Sequence, residues 1–410
     1  MNTALDLAFA RAQFPAFEQP TLRDQAFFEN AGGSFACRPV INRLTEYYQR
    51  LKVQPYYPYP AAQEAGEWMD ASHERLAEYL GVDSDAIHFG PSTSQNTYVL
   101  AQALRAQLKA DDEIIISGQE HQANRGAWQR LAEFGVVIRE WPIDPVSGLL
   151  DSNALDALLN ERTRAVAITH SSNIIGAINP IAAITAKVRA AGALSIVDGV
   201  AATPHALPDV RALGADIYLF SLYKTFGPHQ GLMVIAPALL NQLANQGHVF
   251  NADQPRKRLI PAGPDHAQVA AARGIAEYFD ALDAHHGGGD PSQRAQRVRA
   301  LLSHAEHTAI ATLQDYFLQH PKLRLIGPTD TAQRAGLFSV VPQNAEPLSL
   351  VPKLARHGVL AGAGHFYAVS VLQALGIDPA RGVLRFSLAH YTSAADVDRL
   401  ITALDTVLTP

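Results

Sequence analysis

From about residue 80 to 240 the chain alternates short apolar runs of β-rich composition with longer stretches whose apolar positions recur at helical spacing. The runs predict strands at Glu113–Ser117, Val136–Glu140, Arg164–His170, Leu194–Asp198, Asp216–Phe220 and Gly231–Ala236. Helices are expected between most of them, as at Gln122–Phe134 and Ile181–Ala191. This alternation predicts an α/β fold, a mostly parallel sheet with helices on both faces. Ligands of such sheets bind beyond the carboxyl ends of the strands. His170, Asp198 and Ser221 all fall at or just after predicted strand ends, so the pattern alone sends three polar groups to one rim.

The periodicity changes after His285-His286-Gly287-Gly288-Gly289-Asp290-Pro291, where three consecutive glycines end any helix. Beyond it lie a long helical stretch over Ser292–His320, strands at Leu323–Ile326, Gly336–Val341 and Val383–Leu388, and helices near Leu348–His357 and Ala394–Leu408. The expected organisation is a large domain over residues 25–284 and a smaller α+β domain over 290–410, with residues 1–24 packed on the latter. A length of 410 residues, 48% of them hydrophobic and 18% charged, supplies two real cores.

A net charge of −6 removes the electrostatic footprint of a nucleic-acid binder. No run reaches the roughly 20 apolar residues a membrane helix needs. The start, Met1 to Asp6, lacks a basic stretch followed by an apolar one, so a cytoplasmic enzyme is expected. The single cysteine, Cys37, can form neither an internal disulfide nor a cysteine-rich metal site. The sixteen histidines complete no recognisable ligand spacing, so no metal is expected.

Chemistry concentrates in five segments. The run Leu194-Ser195-Ile196-Val197 ends in Asp198, and a later run ends in Ser221-Leu222-Tyr223-Lys224. An acid and a lysine at neighbouring strand ends suit pyridoxal 5′-phosphate: the lysine holds the aldehyde as a Schiff base and the aspartate keeps the pyridine nitrogen protonated. Ser221 and Tyr223 are candidate phosphate donors. Gly90-Pro91-Ser92-Thr93-Ser94 opens a helical run, where hydroxyls cap the helix or bind a phosphate through free N–H groups and the helix dipole. His121, after Glu120, either stacks on a pyridine ring and handles protons or caps a helix. Asn173, in His170-Ser171-Ser172-Asn173, either bonds the ring hydroxyl or serves its own loop. Arg385, inside the apolar strand Val383–Leu388, needs an anionic partner: a substrate carboxylate or a structural acid.

With these residues in place the chain resembles the class V aminotransferase family of fold-type I enzymes, and within it the cysteine desulfurase-like branch. The resemblance runs from Phe27-Phe28-Glu29-Asn30-Ala31-Gly32-Gly33 to Tyr391-Thr392-Ser393. It implies pyridoxal phosphate on Lys224, Asp198 at the ring nitrogen and His121 over the ring. It places Asn173 at the ring oxygen, Thr93 and Ser94 at the phosphate, and Arg385 on the substrate carboxylate. A homodimer is implied as well. Asn30, Tyr57, His365, Phe366 and Tyr367 are expected near the substrate side chain. Desulfurases carry a catalytic cysteine in a Gly-His-His-Cys-Ala loop; here the stretch reads Gly364-His365-Phe366-Tyr367-Ala368, with tyrosine in its place. A glutamine often found after the motif aspartate is Ala201, and the residue before the lysine is Tyr223 rather than histidine. The expected activity is therefore a transferase or lyase acting on a small amino-acid-like substrate through loss of the Cα proton, without a protein persulfide. Transamination, C–S lysis and epimerisation stay open, as does a protein that binds cofactor or amino acid without turnover.

Overall fold

The computed structural model describes residues 4–409. Its centre is a sheet of seven strands: β1 (Ile87–Gly90), β2 (Glu113–Ser117), β3 (Val137–Trp141), β4 (Thr163–Thr169), β5 (Leu194–Asp198), β6 (Ile217–Ser221) and β7 (Gly231–Ile235), in the order β1-β7-β6-β5-β4-β2-β3. The pairs β3–β2, β2–β4, β4–β5 and β5–β6 are parallel, whereas β7 runs antiparallel to both β6 and β1. Six of the seven strands were expected to within a residue or so. The seventh, Ile87–Gly90, is not among the expected strands, because four residues carry too little alternation to mark one.

Apolar residues on both faces explain why the central strands read as continuous runs rather than alternating ones. Ile115, Val166, Ile168, Val197, Tyr218 and Phe220 enter one core, and Ile114, Ile116, Ala167, Ile196, Ile217 and Leu219 the other. Each such side chain removed from water contributes about 1.5–3 kcal/mol before entropy is counted.

The second sheet is antiparallel: β8 (Leu323–Ile326), β9 (Leu337–Pro342), β10 (Gly362–Gly364) and β11 (Val383–Ser387), in the order β10-β11-β9-β8. The glycine tract separates the helix Arg273–His285 from the 26-residue helix Arg294–Gln319, and all three glycines take positive φ. The amino-terminal segment differs from the expected partition. Ala26–Phe27 pairs in parallel with Val359–Leu360, and Glu29 bridges Ser387, so residues 26–29 join the smaller unit instead of the large sheet. Phe14 packs edge-to-face on both Phe226 and Tyr391, wedging the segment between the loop after the lysine and the turn that follows the carboxyl-terminal strand. Across the same joint His205 and Glu306, both largely shielded from solvent, pair at 2.6 Å. Among the described residues no helix is long and apolar enough to cross a membrane.

Candidate active site

The rim above β4, β5 and β6 is a cleft lined by Thr93, Ser94, His121, Thr169, Ser171, Asn173, Asp198, Ala201, Ser221, Tyr223 and Lys224, among others. Eight of the eleven residues proposed from the sequence for the site are brought together there: Thr93, Ser94, His121, Asn173, Asp198, Ser221, Tyr223 and Lys224.

Lys224 ends the short 3₁₀ turn Leu222–Lys224, formed where β6 reverses into antiparallel β7. Burial pulls its ammonium down to about 8; the Arg385 cation adds to this, while Asp198 and Glu29 oppose it. Asp198 closes β5, with Oδ1 accepting from the Val200 amide at 2.9 Å. Burial raises its carboxyl to about 6, against the lowering effects of that amide and of Lys224. A lysine whose charge is disfavoured and an acid whose charge is disfavoured face the same small space.

Thr93 is the first residue of the helix Thr93–Arg105, and its hydroxyl lies 2.8 Å from that of Ser221. Ser92 caps this helix by accepting from the Gln95 amide, and Ser94 stands exposed on the cleft wall. The helix start approaches β7 so closely that a Cβ on Gly231 would collide with the backbone at Ser92–Thr93. Two hydroxyls and unpaired N–H groups at a helix amino terminus form an anion cradle. Tyr223 presents a ring stacked on His229, centroids 4.5 Å apart and planes 8° from parallel.

His121 caps the helix Gln122–Gln129, its Nδ1 accepting from the Ala123 amide at 3.0 Å. That bond places the ring proton on Nε2. Burial, then the cations Lys224 and Arg385, push its pKa down to about 3, so the ring is neutral. The capping role is therefore realised, and the residue also lines the cleft. Asn173 donates through Nδ2 to the Phe366 carbonyl at 2.8 Å, leaving its Oδ1 buried without a partner.

Three proposed residues are placed differently. Asn30 is spent on the fold: Nδ2 donates to the Ser387 carbonyl at 2.8 Å, and Oδ1 accepts from Tyr391 at 2.5 Å. His365 is exposed, and its Nδ1 accepts from the Tyr367 amide. Arg385 is 2% exposed and already paired, with Glu29 at 2.6 Å and the Asn173 carbonyl at 3.1 Å, so the structural-acid alternative for this arginine is realised in the folded chain. The rim expectation for His170 also fails. Adjacent strand positions point to opposite faces, so Thr169 and Ser171 line the cleft while His170 turns away and bonds Tyr218 at 2.9 Å. Glu29 and the buried Glu120 were not singled out. Glu120 accepts from Ser117 and Asn124, and burial pushes its carboxyl to about 8. The only usable signal for either was an acid adjoining a motif residue, Asn30 or His121.

Cys37 is fully buried and does not line the cleft, with its Sγ 3.5 Å from the Gly274 carbonyl, and burial lifts its thiol to about 12.

A family model described as class-V aminotransferase matches residues 26–252 and 295–400. An aminotransferase-like protein of Gibberella zeae is 33% identical over 99% of this chain and 100% of its own length. A cysteine desulfurase of Yersinia pestis is 30% identical over 97% of each chain. Among solved structures, the cysteine desulfurases of Escherichia coli and Thermococcus onnurineus superpose with TM-scores of 0.82 and 0.85 at 24% and 21% identity, over 99% and 98% of both chains. The donors present suit the cofactor of this family: an anion cradle, an orphaned buried amide oxygen, a buried acid and a lysine of lowered basicity. The chain belongs to the class-V aminotransferases, with the fold of the cysteine desulfurases and pyridoxal phosphate as its cofactor.

Proposed function

We propose that this chain removes the Cα proton of a small amino-acid-like substrate, with Lys224 first as the cofactor's point of attachment and then as the base. The convergence of Lys224, Asp198, His121, Thr93 and Ser221 on one cleft carries the reading. When bound, pyridoxal phosphate supplies an electron-withdrawing ring that stabilises negative charge at the substrate carbon.

The chain's own groups do the rest. Thr93, Ser94, Ser221 and Tyr223 offer hydroxyl donors to the phosphate, beside the free amides of the helix start. Asp198 would hold a proton at the ring nitrogen, and Asn173, whose Oδ1 is buried without a partner, would bond the ring hydroxyl. His121, neutral and with Nε2 protonated, covers the ring face without adding charge. Lys224, as a neutral amine, would take the proton from Cα; its basicity near 8 suits that transfer at physiological pH. Arg385, paired with Glu29 in the folded chain, would turn to the substrate carboxylate.

Where that proton would be delivered next, or whether a side-chain leaving group would depart, separates a transaminase, a lyase and an epimerase. The single cysteine is buried and Tyr367 is 64% exposed in the loop where desulfurases carry theirs, which supports a reaction without a protein persulfide. A cytoplasmic homodimer completes the proposal. Val249 and Phe250, 89% and 80% exposed, give it an apolar surface to cover.

The test is the visible absorption of the cofactor-loaded protein as amino acids and amines are added singly. A band that bleaches to the pyridoxamine form identifies a transaminase and its donor. A band that shifts and returns identifies a lyase or epimerase, which product analysis separates. Absence of any band after adding pyridoxal phosphate would remove Lys224 from its proposed role.

A further inference from the structure

Arg385 does not stand open in the cleft wall. Its Nη2 donates to Glu29 Oε1 at 2.6 Å, its Nη1 donates to the Asn173 carbonyl at 3.1 Å, and its guanidinium carbon lies 3.7 Å from the centroid of the Phe366 ring. Of its three nitrogens only Nε is buried with no partner at all, while each Nη keeps a second N–H. A guanidinium grips a carboxylate best through two parallel N–H groups on one edge. Glu29 already takes part of such an edge.

The position of Glu29 is built by the fold. The pairing of Ala26–Phe27 with Val359–Leu360, continued by the Glu29–Ser387 bridge, sets Glu29 beside the strand that carries Arg385. Gly32 and Gly362 leave room for its carboxylate, since a Cβ on either would press against it. The fit is nevertheless one-sided. Glu29 Oε1 is bonded while Oε2 is buried with no partner. The glutamate is also the looser half, its side chain 27% exposed against 3% for the arginine. Its charge reaches the reacting centre too, supporting the protonated form of Lys224.

We propose that Glu29 is the specificity-determining residue of this site, a built-in counter-ion that competes with the substrate carboxylate for Arg385. The proposal rests on the reading of Arg385 as the carboxylate holder. An incoming carboxylate either displaces Glu29 or shares the guanidinium with it, and the negative charge of Glu29 opposes both. The site therefore discriminates weakly between a free amino acid and one whose carboxyl is masked as a neutral amide, and admits carboxamide-bearing amines as a substrate class.

L-alanine and L-alaninamide differ at this group alone and serve as probes. Each is titrated into the cofactor-loaded protein, and half-saturation is read from the visible band. In the wild type the two concentrations lie within a few-fold of each other. Glu29→Gln favours alanine over alaninamide at least tenfold more than the wild type does, equivalent to about 1.4 kcal/mol. Glu29→Asp, which keeps the charge but shortens the reach, falls between them and serves if the glutamine variant does not fold. Independently of any added amine, Glu29→Gln moves the pH midpoint of pyridoxal phosphate capture by the cofactor-free protein downward, because a charge that favours protonated Lys224 is gone. An unchanged preference in Glu29→Gln, or no response to alanine in either protein, would overturn the proposal. Arg385→Gln separates the two levels. If it leaves the alanine preference of Glu29→Gln intact when the changes are combined, the carboxylate role of Arg385 is wrong. If it abolishes a wild-type preference that Glu29→Gln does not alter, only the role of Glu29 is wrong.

Discussion

Asp198→Asn sets the electrostatics of the site against the stability of the fold. Asp198 is 4% exposed, and burial raises its carboxyl from 3.8 to about 6. A carboxyl whose folded pKa lies above its unfolded value is fully favourable below the unfolded pKa and costs stability as pH rises through the folded one. Keeping the ionised group in the folded chain at pH 7.5 therefore costs about 3 kcal/mol. Asparagine has the same shape, retains an oxygen for the Val200 amide and does not ionise. With an unfolding entropy of about 2.1 cal/mol/K per residue, a gain of this size in a 410-residue chain raises Tm by about 3 °C. The expected result is that cofactor-free Asp198→Asn melts above the cofactor-free wild type at pH 7.5, and that the gap closes toward pH 4. With cofactor added the order reverses in function, because the ring nitrogen loses its anionic partner and turnover falls by orders of magnitude. Scanning calorimetry from pH 4 to 8, with and without pyridoxal phosphate, reads both effects. If the cofactor-free variant melts no higher than the wild type at pH 7.5, the ionised aspartate is not held at a cost and the reasoning fails.

Capture of pyridoxal phosphate by the cofactor-free protein should speed up as pH rises, with a midpoint near 8, because only the neutral amine of Lys224 attacks the aldehyde and burial lowers its pKa from 10.5; a midpoint near 10 would contradict the burial argument. Thr93→Ala and Ser221→Ala should each weaken cofactor binding about tenfold in equilibrium dialysis, the worth of one hydrogen bond to a charged phosphate, and undiminished affinity in the double variant would move the phosphate elsewhere. Cys37 should resist a chromogenic thiol reagent until the protein unfolds, since its thiol is fully buried and raised to about 12. Mass spectrometry after incubation with L-cysteine should find no added sulfur on it, and a persulfide there would reverse the reading of Tyr367.

Much of the site was written in local order. Lys224 follows a strand and a tight turn, Asp198 ends the neighbouring strand, and Thr93 starts a helix after a glycine; each signal spans only a few residues. Parallel pairing of β5 with β6 then makes strand ends meet without further information. Side-chain direction was less accessible. At the end of β4 the pleat sends Thr169 and Ser171 to the cleft and His170 to Tyr218, a choice that depends on register rather than on residue type.

The sequence by itself determined the α/β alternation, the glycine break at 287–289, the cofactor class and the lysine, aspartate and histidine that line one cleft, because periodicity, turns and caps act over short range. Tertiary structure alone decided the fate of the long-range polar partners. Asn30 is consumed by Ser387 and Tyr391, and Glu29 is delivered to Arg385 from 356 residues away. A buried charge must be compensated by whatever group the fold brings within reach, and that group is chosen by how the amino-terminal strand joins the small domain, which no local pattern records.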